Sequence, residues 1–358
     1  MKASLFFRIM KLWCSAGLYF YFKKWQINNA KAVRVAGPVI FIPTHQNAFL
    51  DAVLAICSTA RNPWSIARAS VFKAGFVTKL LTAIQIKPVF RIRDGWSSLK
   101  NNDAIMQEWI DMLAAGNDIM IFAEGNHNDP YASGTLQRGF ARMALKFQQQ
   151  HSTPLTIIPV GIYYDDHLSF RSRVLVNYGD PIDVGNVVQS SPTERDKLEN
   201  LVMVTTNALH SLALAIEPNE HYKEKFDFLM KYRKVQSNLV TQLQSDRALL
   251  EHYPKVPAHA PLRKESTLTE KLLNPIVWIG WLLHIPPYSF IRSFIRKKIK
   301  DPQFIGSLKY AFGIFLVPLY YVILLAIVYS ISGSLILILG IALLLPLTGI
   351  LATDILKK

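Results

Sequence analysis

The chain has 358 residues, of which 51% are hydrophobic and only 18% are charged. Because an average soluble domain carries about 25% charged residues, this composition excludes a disordered, collagen-like or coiled-coil protein. The 40 Lys and Arg residues exceed the 25 Asp and Glu residues by 15, which suits nucleic acid or an anionic membrane, and the apolar content favours the membrane. Cys14 and Cys57 are the only cysteines, so a disulfide framework is excluded and a reducing compartment is compatible.

An aromatic helix is the first predicted element. Its uncharged run, residues 12–22, is too short to cross a bilayer, which takes about 20 residues. A cleaved signal peptide is a weaker alternative, because the run ends in Lys23-Lys24 and lacks a small-residue cleavage site. We therefore predict that residues 1–30 form an amphipathic helix in the membrane interface.

Residues 31–215 alternate β-rich runs with helical stretches, which predicts an α/β domain with a mainly parallel sheet. Strands are predicted at residues 38–43, 86–90, 118–123, 155–162 and 174–178. Helices are predicted at residues 48–58, 71–84, 97–115, 136–150 and 193–215. A polar helical region and a Pro-rich linker follow over residues 216–271.

The C-terminal region, residues 309–358, contains a long run without formal charge, from Tyr310 to Thr353. This run is more than twice the roughly 20 residues that one helical span needs. A turn at residues 330–334 therefore predicts two transmembrane helices, although two buried helices of a soluble protein are the alternative. Basic residues flank both outer ends, so the positive-inside bias places both ends in the cytoplasm; they are Arg292, Arg296, Lys297, Lys298, Lys300, Lys309, Lys357 and Lys358.

The segment before the hairpin, residues 272–308, is apolar at first and then basic. Asn274-Pro275, His284 and Pro286-Pro287 interrupt its apolar part. We predict an interfacial or re-entrant segment, with a third full span as the alternative, and expect three aromatic side chains at headgroup depth: Trp278, Trp281 and Tyr288.

Among polar residues, the most informative lie between Ile42 and Asp51. A strand runs out into His45, Asn47 is placed to cap a helix, and Asp51 falls in the first helical turn. Residues six apart on a continuous helix diverge by roughly 120°, so His45 and Asp51 can meet only if His45 precedes the helix. Such a pair makes a general base. The alternative is an N-terminal carboxylate beside an unrelated loop histidine.

Two other predicted strands also end in polar residues. One is followed by Arg91 and Arg93, and the other by Glu124 and Gly125. Together with His45 they describe the carboxyl edge of a parallel sheet, where open α/β folds bind ligands. The planar guanidinium suits phosphate or carboxylate, although a solvated arginine at a strand end is an equally plain explanation.

These motifs resemble the glycerolipid acyltransferase superfamily, of the glycerol-3-phosphate and lysophosphatidic acid acyltransferase type, over residues 31–182. His45 and Asp51 are similar to its first motif, a His, four residues and an Asp. Here five residues separate them, as in some glycerol-3-phosphate or dihydroxyacetone-phosphate acyltransferase-like branches. The other motifs follow in order: Lys87-Pro88-Val89-Phe90-Arg91, Phe122-Ala123-Glu124-Gly125 with Gln137-Arg138-Gly139, Ile157-Ile158-Pro159-Val160-Gly161, and Tyr178-Gly179-Asp180-Pro181-Ile182.

The resemblance implies acyl transfer to the hydroxyl of a glycerol-like lipid precursor, with no metal and no cofactor. The donor would be acyl-CoA, acyl carrier protein or acyl phosphate. His45 and Asp51 would be catalytic. The implied substrate-binding residues are Arg91, Arg93, Glu124, Gly125, Asn126, His127 and Arg138.

The sequence departs from the family at the third motif. Asn126 and His127 stand where Thr and a phosphate-binding Arg are expected, and Gln137 stands in place of Lys. Either Arg91 and Arg93 hold the anion alone, or the acceptor head group is not a phosphate. An acyltransferase that acts on a non-phosphate lysolipid or remodels lysophospholipids is therefore one alternative, and a non-catalytic membrane scaffold is another.

The expected partners are membrane lipids and the acyl donor, with acyl carrier protein as one possible donor. Nucleic acid is not expected, because the densest basic cluster abuts a predicted span. The expected location is a bacterial inner membrane or the endoplasmic reticulum, with the catalytic domain facing the cytoplasm.

Overall fold

The computed structural model describes residues 3–69, 72, 75–89, 99–125, 131–132, 134–255 and 275–356. The chain divides into two compact units. The first comprises Met1–Ser15, Gln26–Tyr164 and Val174–Val256, and the second comprises Ala16–Trp25, Asp165–Arg173 and Pro257–Lys358.

A sheet of eight described strands organises the first unit. Its strands are β1 (Lys24–Asn28), β2 (Val39–Pro43), β3 (Trp64–Arg68), β4 (Ile86–Val89), β5 (Ile119–Met120), β6 (Thr156–Tyr164), β7 (Arg173–Tyr178) and β8 (Ile182–Asp183). The order is β1-β7-β6-β2-β5-β3-β4, with β8 also paired to β6. Strands β6, β2, β5, β3 and β4 are mutually parallel, whereas β7 and β8 run antiparallel to β6. The predicted mainly parallel α/β sheet is confirmed.

Helices cover the sheet. They are α1 (Leu5–Tyr21), α2 (Ala48–Ser58), α3 (Gly75–Ala83), α4 (Leu99–Ala114), α5 (Gly139–Gln150), α6 (Val184–Gln189), α7 (Glu194–Leu212), α8 (Tyr222–Tyr232) and α9 (Leu239–Glu251). One core packs α4, α5 and α7 on the sheet through Trp109, Phe140 and Phe147. A second packs α8 and α9 around Tyr163. Every residue of β2 and β6 is buried, as expected for central strands covered on both faces.

The strand predictions need three additions. β1, β3 and β8 were not predicted, because they are short and Ser65 of β3 is their only buried residue, so no continuous apolar run indicates a strand. The predicted strand over residues 118–123 is too long, since only Ile119–Met120 is paired. The helix predicted over residues 193–215 ends at Leu212.

Three long helices make up most of the second unit: α10 (Pro275–Lys298), α11 (Gln303–Ser332) and α12 (Leu335–Leu356). Among the described helices, α11 and α12 are long and apolar enough to cross a membrane. Gly333 separates them with φ 62°, a left-handed conformation that glycine adopts without steric cost. The predicted pair of apolar helices is therefore confirmed.

Helix α10 runs without interruption through Pro286 and Pro287. The reason lies in one hydrogen bond. Pro287 has no N–H for the carbonyl of Leu283, and the hydroxyl of Tyr320 on α11 donates to that carbonyl at 2.9 Å. A neighbouring helix thus supplies the donor that proline lacks, which is how proline is tolerated inside apolar helices.

Within the second unit, an ion pair ties the loop of residues 165–173 to the end of α12. Arg171 donates to both carboxylate oxygens of Asp354, at 3.1 and 2.9 Å. It also donates to the carbonyl of Phe22 at 3.0 Å. Such two-point contacts favour the planar guanidinium over an ammonium group, so Arg171 fixes the loop geometrically as well as electrostatically.

Candidate active site

The β2 exit is held to the sheet one residue beyond the strand itself. The backbone N–H of Thr44 donates to the carbonyl of Val160 at 3.0 Å. The hydroxyl oxygen of Thr44 accepts from the N–H of Ile162 at 2.9 Å. Because both contacts are made to the central strand β6, the chain leaves the sheet at a fixed point, immediately before His45.

The turn into α2 is organised by the Asp51 carboxylate. Its Oδ2 accepts hydrogen bonds from the backbone N–H groups of Gln46 and Asn47, at 2.8 and 2.7 Å. The prediction that Asn47 caps α2 is wrong, because its side chain makes no capping hydrogen bond and Asp51 already satisfies the entry amides. Ala48 opens the helix with φ 40°, a left-handed conformation that costs alanine about 1 kcal/mol or more.

This turn brings His45 and Asp51 together. The Nδ1 atom of His45 lies 3.0 Å from Oδ2 of Asp51. Because a carboxylate accepts, Nδ1 carries the proton and donates, which leaves Nε2 with its lone pair free of that contact. The Asp51 side chain is fully buried, and 14% of the His45 side chain is exposed. The pair can therefore accept a proton from a hydroxyl that reaches the imidazole.

Two groups from the β5 exit fix the histidine further. The Phe122 ring lies 4.2 Å from the His45 ring between centroids, tilted by 32°. The Glu124 side chain accepts from the backbone N–H of His45 at 3.2 Å. Gly125 has φ 75°, and a Cβ there would lie 3.2 Å from Cγ of Gln137, so the turn after Glu124 needs glycine. Two predicted site residues, Glu124 and Gly125, thus lie beside His45.

Tyr164, the last residue of β6, is a further polar residue of the site that was not predicted from the sequence. Its hydroxyl donates to Oδ1 of Asp51 at 2.6 Å, and only 1% of the residue is exposed. The available signal was a pair of tyrosines just beyond the predicted end of the strand. Its backbone carbonyl in turn accepts from the hydroxyl of Tyr131 at 2.6 Å.

A narrow cavity opens beside Glu124. Thr44, Gln46 and Glu124 line one side, and Leu209, His210 and Leu214 line the other. The end of α7, which forms part of the cavity wall, packs closely against β6. A Cβ on Gly161 of β6 would lie 2.4 Å from the carbonyl oxygen of Leu212, the last residue of α7. The cavity is therefore polar at the dyad side and largely apolar opposite.

Of the remaining predicted site residues, the structure describes Arg138. Arg138 lies at the start of α5, where its guanidinium is 3.5 Å from the Glu199 carboxylate of α7, and its side chain is 59% exposed. It does not line the cavity beside Glu124. Four others lie outside the described residues: Arg91, Arg93, Asn126 and His127. Among the described residues, no group of three or more His, Cys, Asp or Glu could hold a metal ion.

Comparisons with known proteins bear on this geometry. Residues 24–163 match the family model described as Acyltransferase. Glycerol-3-phosphate O-acyltransferase 1 of Saccharomyces cerevisiae is 32% identical over 113 residues, which is 30% of this chain and 15% of the yeast protein. Glycerol-3-phosphate O-acyltransferase 2 of the same yeast is 31% identical over 117 residues, or 31% and 16%. The chain therefore matches only about one sixth of the length of these relatives.

A solved structure is also similar. The 1-acyl-sn-glycerophosphate (LPA) acyltransferase PlsC from Thermotoga maritima has a TM-score of 0.42 and 15% sequence identity. The match covers 57% of this chain and 78% of that chain. The part of this chain that is similar to a family model, residues 24–163, contains both His45 and Asp51. Together with the yeast relatives, this match supports the glycerolipid acyltransferase superfamily that the motifs resemble.

Proposed function

We propose that this protein is a membrane-bound O-acyltransferase, which moves a fatty acyl group from an activated donor to a hydroxyl of a glycerol-phosphate lipid precursor. The observation that carries the proposal is the contact of 3.0 Å between His45 and Asp51 at the β2 exit. The contact lies inside the acyltransferase domain. It has the two parts that general-base activation of a hydroxyl needs, a base and a group that orients it.

In the proposed mechanism, Nε2 of His45 removes the proton from the acceptor hydroxyl. The hydroxyl oxygen attacks the acyl carbonyl carbon, a new C–O ester bond forms, and the bond to the thiol or phosphate leaving group breaks. His45 returns its proton to the leaving group. The buried Asp51 carboxylate holds the imidazole in the required tautomer and stabilises the imidazolium between the two proton transfers.

Glycerol-3-phosphate is the first acceptor to test. Both yeast relatives are named as glycerol-3-phosphate O-acyltransferases. We assign the anionic group of the acceptor to Arg91 and Arg93, with Arg138 as a further cation, and the pocket wall to Glu124 and Gly125. Acyl-CoA, acyl carrier protein and acyl phosphate are the candidate donors, and the mechanism uses no cofactor.

A lysolipid without a phosphate group is the second candidate acceptor. One observation favours it: Asn126 and His127 stand where the family carries Thr and Arg. A neutral imidazole cannot form the two parallel hydrogen bonds that a guanidinium makes to phosphate. The head group recognised at this loop would then be zwitterionic or uncharged.

We also propose that α11 and α12 anchor the chain in a membrane and that α1 lies in the interface. The apolar face of α1 is exposed, with Leu12 72% and Phe20 57% exposed. We propose that the ends of the hairpin and the catalytic domain lie on the cytoplasmic side, and the basic residues that flank the hairpin support this orientation.

The test is acyl transfer by the purified full-length protein in detergent. Labelled acyl-CoA and acyl carrier protein are offered with glycerol-3-phosphate, dihydroxyacetone phosphate, lysophosphatidate or a zwitterionic lysolipid. We expect His45→Ala to abolish turnover and Asp51→Asn to lower kcat by ~10⁴-fold, as loss of the orienting carboxylate does in a related triad. His151→Ala is the matched control, because His151 packs on Phe147 at the end of α5, and it should retain activity.

Each other result has a definite meaning. Turnover by His45→Ala would exclude the general-base mechanism. Product only with the zwitterionic lysolipid would select the second acceptor class. No product with any donor and acceptor would favour a non-catalytic membrane scaffold.

A further inference from the structure

The Tyr164 hydroxyl contacts Oδ1 of Asp51, the carboxylate oxygen that accepts no hydrogen bond from the turn into α2. Oδ2 of Asp51 receives His45, Gln46 and Asn47. Oδ1 accepts from the Tyr164 hydroxyl at 2.6 Å. Both oxygens of a fully buried carboxylate are therefore hydrogen-bonded, which is what stabilises an ionised carboxylate away from water.

The position of Tyr164 is itself well determined. Its strand pairs with β7 through residue 164, where Tyr164 lies opposite Val174. Its carbonyl oxygen accepts from the Tyr131 hydroxyl at 2.6 Å. A donor fixed in this way restricts rotation of the Asp51 carboxylate, so that Oδ2 stays directed at the imidazole.

We propose that Tyr164 is a positioning residue of the dyad, which orients the Asp51 carboxylate and moderates the negative charge that it presents to His45. Tyr164 does not touch the reacting atoms and acts through Asp51. For turnover, this inference rests on the proposed function; for the protonation of His45, it can be tested without any substrate.

Removing the phenolic hydroxyl has a predictable sign. Without this donor, more negative charge remains on Asp51, so the dyad binds a proton more readily and stays protonated to higher pH. Glu124 accepts from the backbone N–H of His45, and His210 lines the cavity beside Glu124; neither residue is changed in any variant. The acidic limb of the pH–rate profile should therefore move to higher pH in Tyr164→Phe.

The adjacent residue offers a matched control. Tyr163 is equally buried, and its hydroxyl donates to a buried carboxylate, Oδ2 of Asp246, at 2.5 Å. Successive strand residues point to opposite faces, so this contact lies in the core between β6, α8 and α9. Tyr163→Phe removes the same kind of hydrogen bond from the same strand without touching the dyad.

The first measurement is the rate at which diethyl pyrocarbonate modifies His45, followed by mass spectrometry from pH 5 to 9. This reagent attacks the neutral imidazole, so the midpoint of the rate profile reports protonation of His45. We expect the midpoint to rise by about one pH unit in Tyr164→Phe, the size expected for one hydrogen bond to a charged group. It should not move in Tyr163→Phe.

The second measurement is kcat and KM across the same pH range. We expect Tyr164→Phe to lower kcat by roughly 10-fold to 100-fold with little change in KM, and to shift the acidic limb in the same direction. An unchanged modification midpoint in Tyr164→Phe, or an equal shift in Tyr163→Phe, would overturn the inference. Turnover by His45→Ala would instead overturn the proposed function, and the modification experiment would still decide the role of Tyr164.

Discussion

Cys57 lies on α2, the helix that also carries Asp51, and a thiol is a group that could form an acyl-enzyme. Burial raises the pKa of Cys57 to about 11. The thiol donates to the carbonyl of Lys11, with Sγ 3.6 Å from that oxygen. Since only the thiolate attacks, a cysteine with this pKa is a poor nucleophile at neutral pH.

We therefore expect Cys57→Ala to retain the kcat of the parent protein, which acyl-transfer assays would measure. In a Cys14→Ala background, alkylation of Cys57 should be slow at pH 7 and should accelerate about tenfold per pH unit up to about pH 11. Loss of turnover in the folded Cys57→Ala protein would instead support a mechanism in which Cys57 forms an acyl-enzyme.

At the same scale, the sequence predicted part of the site. The His45–Asp51 contact could be anticipated, because the two residues are close in the chain and one strand exit governs both. The contact of Tyr164 with Asp51 could not, since 113 residues separate them. It depends on the register of β6 against β2, which pairs Phe41 with Ile158 and which no local pattern encodes.

Among the elements, those with strong apolar runs were predicted and those without were missed. β2 and β6 are buried at every position, so their composition alone indicates central strands. In β3 only Ser65 is buried, and β8 has two residues. The continuity of α10 across Pro286 and Pro287 could not be predicted, because the donor that compensates for the proline, Tyr320, belongs to a different helix.

The hydrogen bond between Tyr320 and Leu283 gives a prediction at this scale. We expect Tyr320→Phe to lower the free energy of unfolding of the helix bundle by about 1 kcal/mol, because it leaves a carbonyl without its donor. Unfolding by a denaturing detergent, titrated into protein in a mild detergent, would measure the loss.

Pro287→Ala tests whether the Tyr320 hydroxyl stabilises the bundle because Pro287 lacks an N–H. Alanine restores a backbone N–H that can reach the Leu283 carbonyl, so Tyr320→Phe should cost less in that background. Tyr329→Phe is the control, because Tyr329 is on the same helix and 48% exposed. Equal costs with and without Pro287 would show that the hydroxyl of Tyr320 does not compensate for the proline.

For the molecule as a whole, charge and apolar length combine to set orientation. The surplus of 15 positive charges includes a cluster before α11 (Arg292, Arg296, Lys297, Lys298 and Lys300). Each such cation near an anionic leaflet contributes about 1 kcal/mol of attraction. The same residues favour retention of their side of the hairpin in the cytoplasm.

The orientation can be measured with single cysteines in a protein that carries Cys14→Ala and Cys57→Ala. An impermeant maleimide added to intact cells should label Ser332→Cys, at the turn between α11 and α12. It should label Asp301→Cys, at the other end of α11, only after the membrane is permeabilised. Labelling of Asp301→Cys but not of Ser332→Cys in intact cells would reverse the proposed topology, and equal labelling of both sites would show that α11 does not cross.

The ion pair between Arg171 and Asp354 also sets an order of events during synthesis. The two residues are 183 positions apart, so at 5 to 20 residues per second the ribosome makes Asp354 about 10 to 40 s after Arg171. Through that interval the guanidinium has no carboxylate from α12 to bind. The contact that holds the loop of residues 165–173 to α12 can therefore form only after both apolar helices have been made.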